Sequence, residues 1–187
     1  MNRQEPEYIG TERLDLYLIS PEDLIQLFED PENMQLPDGA PYKNSYRVLV
    51  DESGPLQWRV PHVKRDVTLN KWFIRFVVLR EIQEVIGSIS FHGQPDENGM
   101  IEIGLGIEEP FHNKGFATEA LLGMWRWVCT QPGVQTLRYT VSPDNAPSQK
   151  IIANFGFTHK GVQIDEEDGP EDIYEMSVEE FRNRYSN

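Results

Sequence analysis

The segment Phe111-His112-Asn113-Lys114-Gly115-Phe116-Ala117-Thr118-Glu119-Ala120 is the part of the chain with the clearest chemical content. It follows the apolar run MIEIGLGI (residues 100–107) and leads into an amphipathic stretch. Strand, tight turn and helix start therefore follow one another directly. The first amides of a helix have no internal partners and carry partial positive charge. A glycine there lets the backbone approach an anion closely. Such a turn can hold a diphosphate with few basic side chains, and Lys114 could add one charge at its rim. The alternative is that Gly115 serves only the turn. The segment is not a Walker A loop, because no Gly-Lys-Ser/Thr is present. It is not a dinucleotide GxGxxG either, because Gly104 and Gly106 lie inside the strand.

Other reactive side chains carry less. His92, His112 and His159 lack metal-ligand spacing with carboxylates, and no metal is expected. His62 lies in a stretch of unclear structure. Cys129 is the one cysteine, so an intrachain disulfide and a cysteine-rich zinc site are excluded. It sits beside core positions of a helix, which favours burial over nucleophilic chemistry. Trp125 and Trp127 on that helix read as packing or interface residues.

The elements that position the turn follow from hydrophobic periodicity. ERLDLYLI (12–19) alternates Leu14, Leu16 and Leu18 as a half-buried strand. Ser20 then caps a helix with Pro21 at its first position and acids in its first turn. Residues 31–65 are rich in Pro, Gly and charge, with Tyr42, Tyr46 and Trp58 scattered among them. Irregular structure with one helix is expected there. WFIRFVVL (72–79), VIGSISF (85–91) and MIEIGLGI (100–107) predict an antiparallel meander of three strands. A helix over 117–130 ends at Pro132-Gly133. TLRYTV (136–141) is a strand, and Pro147-Ser148 opens a helix running to Phe155, with Gly156 as its C′ residue. FTHKGV (157–162) and DIYEMSV (172–178) predict a final hairpin. The acidic run Asp165–Asp168 between them is either a solvated loop or an attractor for a cationic partner. The order β-α-β-β-β-α-β-α-β-β gives an α+β (mixed α/β) class and one domain over residues 1–187.

Composition narrows the function. The chain has 187 residues and a net charge of −14, from 31 acids and 17 bases. That surface repels nucleic-acid backbones and anionic lipids and tolerates cationic partners. Neither nucleic acid nor membrane is an expected partner. No run approaches the ~18 apolar residues of a membrane span, and the first residues lack the apolar core of a signal peptide. A cytoplasmic location is the expectation.

The run PFHNKGFATEALLGMWRWV resembles the pyrophosphate loop and following helix of the GNAT N-acetyltransferases. Their pattern is Gln or Arg, two residues, Gly, one residue, then Gly or Ala. His112-Asn113-Lys114-Gly115-Phe116-Ala117 departs from it at His112. A second match is Asn145-Ala146-Pro147-Ser148 leading to Asn154-Phe155-Gly156-Phe157. The opening TERLDLYLISPEDL is similar to the branch that acetylates N-terminal amines of ribosomal proteins, the ribosomal-protein-alanine N-acetyltransferases. The resemblance covers residues 11–30 and 72–178. It fails over 31–70, a region that commonly helps shape the acceptor site in this family.

The resemblance implies a GNAT acyl-CoA N-acyltransferase fold, with a mostly antiparallel sheet of about six or seven strands flanked by helices. It implies acetyl-CoA as co-substrate and a primary amine as acceptor: a protein N-terminus, or a small amine such as a polyamine or aminoglycoside. A non-catalytic acyl-CoA sensor is the reading from another class. The implied cofactor contacts are Leu105, Gly106 and Ile107 along the pantetheine arm. The loop His112, Asn113, Lys114, Gly115, Phe116, Ala117 and Thr118 would take the diphosphate. Asn145 would meet the arm or an ordered water. Glu102 is the candidate base, with a structural ion pair or a solvent-facing position as its alternative. Ser148 is the candidate donor to the departing sulfur, with a helix-cap role as its alternative. Monomer and homodimer both stay open.

Overall fold

The computed structural model describes residues 8–34, 36, 39–165 and 169–185. The elements are β1 (Tyr8–Gly10), β2 (Leu14–Leu18), α1 (Pro21–Glu29), α2 (Leu56–Arg65), β3 (Arg75–Leu79), β4 (Glu84–Phe91), β5 (Met100–Ile107), α3 (Phe116–Val128), β6 (Thr136–Val141), α4 (Ala146–Phe155), β7 (Thr158–Asp165), β8 (Gly169–Ser177) and α5 (Val178–Tyr185). The fold is α+β, with a mostly antiparallel eight-stranded sheet in the order β1-β2-β3-β4-β5-β6-β8-β7. The chain divides into two compact units, Met1–Gly93 with Leu105–Met124, and Gln94–Gly104 with Trp125–Asn187. Among the described residues no helix is long and apolar enough to cross a membrane.

In the first unit, β1, β2, β3 and β4 pair antiparallel in succession. Leu14 and Leu16 are fully buried, as their alternation predicts. The Ser20 hydroxyl accepts from the Asp23 amide at 3.1 Å and caps α1. Leu24 and Leu27 form its buried stripe. The expected helix in the unclear region is α2, which buries Leu56, Val60 and Val63 at helical spacing. Pro61 inside it and the exposed Trp58 hide that helix from a sequence reading. The strand expected over 72–79 starts later, at Arg75. Trp72 instead ends a 3-10 segment that begins at Val67, where the Asp66 side chain accepts from the Thr68 amide.

In the second unit, β6 pairs parallel with β5 from Met100↔Thr136 to Glu102↔Arg138 and antiparallel with β8. β7 and β8 form a hairpin with an irregularity between His159 and Gly161. Its strands run further toward the turn than the 157–162 and 172–178 expected. Of the acidic run, Asp165 ends β7, and the rest lies outside the described residues. The core centres on Trp125, whose ring lies 4.8 Å from Phe155, 4.7 Å from Phe157 and 6.1 Å from Phe181. Phe181 belongs to α5, a helix the periodicity did not suggest. The element is short and made mostly of charged and polar residues, so Phe181 and Val178 carry its burial alone.

The sheet has eight strands where six or seven were expected. The extra strand β1 is a three-residue element with no buried residue. It has no hydrophobic phase to read.

Trp125→Ala is expected to destabilise the protein by about 3–5 kcal/mol in urea unfolding, with Trp125→Phe costing less. A loss below about 1 kcal/mol for the alanine variant would contradict this packing.

Candidate active site

The turn between β5 and α3 is built by a short 3-10 segment and two left-handed residues. Glu108 donates its amide to the Ile86 carbonyl at 2.8 Å, tying the turn to β4. Phe111 is buried, with Tyr46 and Phe116 rings 5.2 and 6.4 Å away. Asn113 has φ 59° and Gly115 has φ 81°. Asparagine tolerates that region better than most side chains and glycine enters it freely. The Glu119 amide donates to the Gly115 carbonyl at 3.0 Å, which opens the helical ladder. The amides of Phe116, Ala117 and Thr118 therefore precede the ladder. Among the described residues, no protein group accepts from the amides of Asn113 through Thr118. Backbone of this kind, ahead of a helix, forms the amide concavities that bind anions.

Side chains hold this backbone in place. Glu119, in the first turn of α3, accepts from the Thr11 hydroxyl at 2.5 Å, the Arg13 amide at 2.6 Å and the Arg13 Nε at 2.7 Å. Arg13 also donates to the Lys114 carbonyl at 3.0 Å and lies 4.4 Å over the Phe116 ring. Burial of Glu119 works against its charge. The hydrogen bonds from Thr11 and Arg13, with the Arg13 charge, outweigh it and hold the carboxyl below its ordinary 4.5. Thr11, Arg13 and Glu119 escaped the sequence reading because their partners lie about a hundred residues apart.

The two loop side chains with open roles are both exposed, and both bond backbone carbonyls of the turn and the strand end before it. His112 Nε2 lies 2.5 Å from the Ile107 carbonyl, bracing the turn against the end of β5. Its own amide donates to the Glu109 carbonyl at 3.0 Å, so the open amide row starts at Asn113. Lys114 Nζ donates to the Pro110 carbonyl at 2.8 Å and lies 5.5 Å from the Phe111 ring. Leu105 and Ile107 are half-buried and Gly106 is exposed. A Cβ on Gly87 would fall 2.1 Å from the Gly106 carbonyl oxygen, so only glycine fits where β4 meets this part of β5.

In the second unit, Glu102 is half-buried on β5. Thr140 Oγ1 donates to Glu102 Oε1 at 2.5 Å. The backbone pairing of β5 with β6 runs to Glu102↔Arg138, and Thr140 is two residues further along β6. Arg138 itself pairs with Glu175 at 2.6 Å.

At the start of α4, Asn145 Oδ1 accepts from the Ser148 amide at 3.1 Å. Asn145 is therefore the helix cap, and the cap role open to Ser148 is filled. Burial pushes the Tyr139 phenol up, and the neighbouring Ser148 hydroxyl opposes the shift. Tyr139 and Thr140 were not singled out from the sequence. Strand alternation in TLRYTV gives them opposite faces, but not these partners.

The discounted residues fall as follows. Cys129 is buried, and burial pushes its thiol up to about 11, against the Arg182 charge. Trp125 and Trp127 are buried. His159 Nε2 lies 2.9 Å from Asp172 Oδ1, and Asp172 Oδ2 accepts from Gln149 Nε2 at 2.9 Å. Among the described residues no group of three His, Cys, Asp or Glu side chains could hold a metal ion.

Residues 13–158 match the acetyltransferase (GNAT) domain. The chain belongs to the GNAT acetyltransferase family, whose members are enzymes that draw an acetyl group from acetyl-CoA. It is 28% identical over 164 residues to the uncharacterized N-acetyltransferase p20 of Bacillus licheniformis, covering 86% of this chain and 88% of that protein. It is 34% identical over 89 residues to the uncharacterized N-acetyltransferase YjdG of Bacillus subtilis (strain 168). That match takes in 46% of this chain and about half (53%) of the relative's length. The fold is similar to that of RimL, a ribosomal L7/L12 alpha-N-protein acetyltransferase solved with coenzyme A. The TM-score is 0.62 at 14% identity, covering 91% of this chain and 98% of that one.

The Glu119 cluster predicts a pH dependence. Its carboxyl is lower in the folded chain than in the unfolded one. The stability it adds is then fully present above 4.5 and is lost as pH falls through the folded value. The melting-temperature gap between wild type and Glu119→Gln is expected to be widest near neutral pH and to close in acid. A gap that does not change with pH would contradict this arrangement.

Proposed function

We propose that residues 1–187 act as one cytoplasmic domain that transfers the acetyl group of acetyl-CoA to the N-terminal α-amine of a protein. The observation that carries the reading is the open amide row from Asn113 to Thr118, ahead of α3. A chain of net charge −14 has few ways to attract an anion. Backbone amides at a helix start supply one without basic side chains. In this reading they take the diphosphate of coenzyme A. Leu105, Gly106 and Ile107 take the pantetheine arm by main-chain groups, and Asn145 keeps the first turn of α4 in place.

The reaction needs a neutral amine, because a protonated nitrogen has no lone pair to attack with. An α-amine has a pKa of about 7.7–8.0, against about 10.4 for lysine, and so needs less help. Glu102 accepts the amine proton, directly or through a water. The nitrogen then attacks the thioester carbonyl carbon, and the carbon–sulfur bond breaks as the carbonyl re-forms. Ser148 donates a hydrogen bond to the sulfur as it leaves with the electron pair, and the proton that the nitrogen sheds in becoming an amide goes to that thiolate. This needs geometry and no change of pKa. The name of the similar RimL structure, an alpha-N-protein acetyltransferase, supports a protein α-amine as acceptor.

Ser148→Ala and Glu102→Gln are each expected to lower kcat by about a hundredfold or more, with coenzyme A affinity unchanged. The assay uses a lysine-free peptide with a free N-terminus, alongside a small-amine panel. Full turnover in both variants would remove these roles. Transfer only to small amines would move the acceptor to that class, and coenzyme A binding without any transfer would favour a sensor.

A further inference from the structure

The first unit contains a cavity of about 270 Å³ beside β1, β2 and the start of α1. Its walls include Tyr8, Tyr17, Tyr42, Phe76, Ser20 and Asp23. The rings form a continuous chain. Tyr8 and Tyr17 lie 5.0 Å apart, Tyr17 and Tyr42 4.8 Å, and Tyr42 and Phe76 6.1 Å. Tyr8 is 45% exposed, so one ring of the chain reaches solvent. The Asp23 carboxylate is fixed by the α1 cap. Ser20 Oγ donates to Asp23 Oδ2 at 2.8 Å and accepts from the Asp23 amide.

We propose that this cavity binds an alkylammonium group. Aromatic faces carry negative quadrupole charge and attract cations held against them. A carboxylate in the same wall selects further for positive charge. An anion would meet Asp23 and the chain's net charge of −14. A neutral apolar group would cover that carboxylate without compensating its charge. The volume is below the ~300 Å³ at which pockets for drug-sized ligands begin. A small amine head fits it better than a large molecule.

Tyr17 pairs with Phe76, and Phe76 pairs with Ser88 of β4. Two strand spacings put Tyr17 roughly 10 Å from β4. Resting on the acetyltransferase reading above, the ammonium held among these rings is either a positive group of the acceptor or a separate amine that acts as an effector.

The test is calorimetric titration of the full chain with choline, without acetyl-CoA. The control ligand is choline's uncharged isostere, in which a tert-butyl group replaces the trimethylammonium. Saturable binding of choline but not of the isostere is expected. Tyr8→Leu and Asp23→Asn should each weaken it by roughly tenfold. Both leave the buried core untouched, and unchanged melting temperatures would confirm that. No saturable binding, equal binding of the isostere, or indifference to both substitutions would overturn the proposal. Under turnover, choline competing only with acceptors that carry two positive groups would assign the cavity to the acceptor. A change in kcat for singly charged acceptors as well would assign it to an effector. If choline binds and no acetyl transfer is found, only the enzymatic reading fails. If transfer occurs and choline does not bind, only the cavity's role fails.

Discussion

An acidic protein that handles an anionic co-substrate must attract it locally, and here the backbone offers the means. The turn before α3 places two left-handed residues, Asn113 and Gly115, immediately ahead of the helix. The amides from Asn113 to Thr118 are then left without protein acceptors among the described residues. Open amides are costly when buried and useful when a ligand can meet them. Several side chains hold the backbone of the turn in place. Glu119 is held by Thr11 and Arg13, His112 braces the end of β5, and Lys114 is folded back onto Pro110.

In the second unit the candidate catalytic residues sit on strand β5 and in the first turn of α4. Asn145 caps α4, so the Ser148 side chain is not needed as its cap. Thr140 orients the Glu102 carboxylate through a short hydrogen bond. Thr140 lies on β6, whose inward residues pack against the Trp125 cluster. A polar group on a rigid strand or helix end keeps its direction better than one on a loop, which suits roles that depend on geometry.

Much of this was legible in the sequence because local rules dominated. Ser20, Pro21, Gly115 and Gly156 act through their immediate neighbours, and their types announce caps and turns. The long strands β4 and β5 and the helix α3 show clean periodicity. What was not legible depends on distant partners or on weak phase. β1 is too short to show a phase, α5 buries only two residues, and α2 carries a proline. The Glu119 cluster and the Thr140–Glu102 bond join segments that only the folded chain brings together. Sequence spacing left two roles open for Ser148; Asn145 takes the cap, and the role at the departing sulfur remains the proposal.

In the proposed function, backbone amides around Gly115 hold the coenzyme A diphosphate. Calorimetric titration of acetyl-CoA into wild type and Gly115→Asp tests it most directly. Saturable binding to the wild type is expected. Binding should be lost or much weakened in the variant, where a carboxylate stands beside the open amides while the near-UV spectrum stays native. Equal affinity in the two proteins would contradict it, because the diphosphate would then have to be held elsewhere.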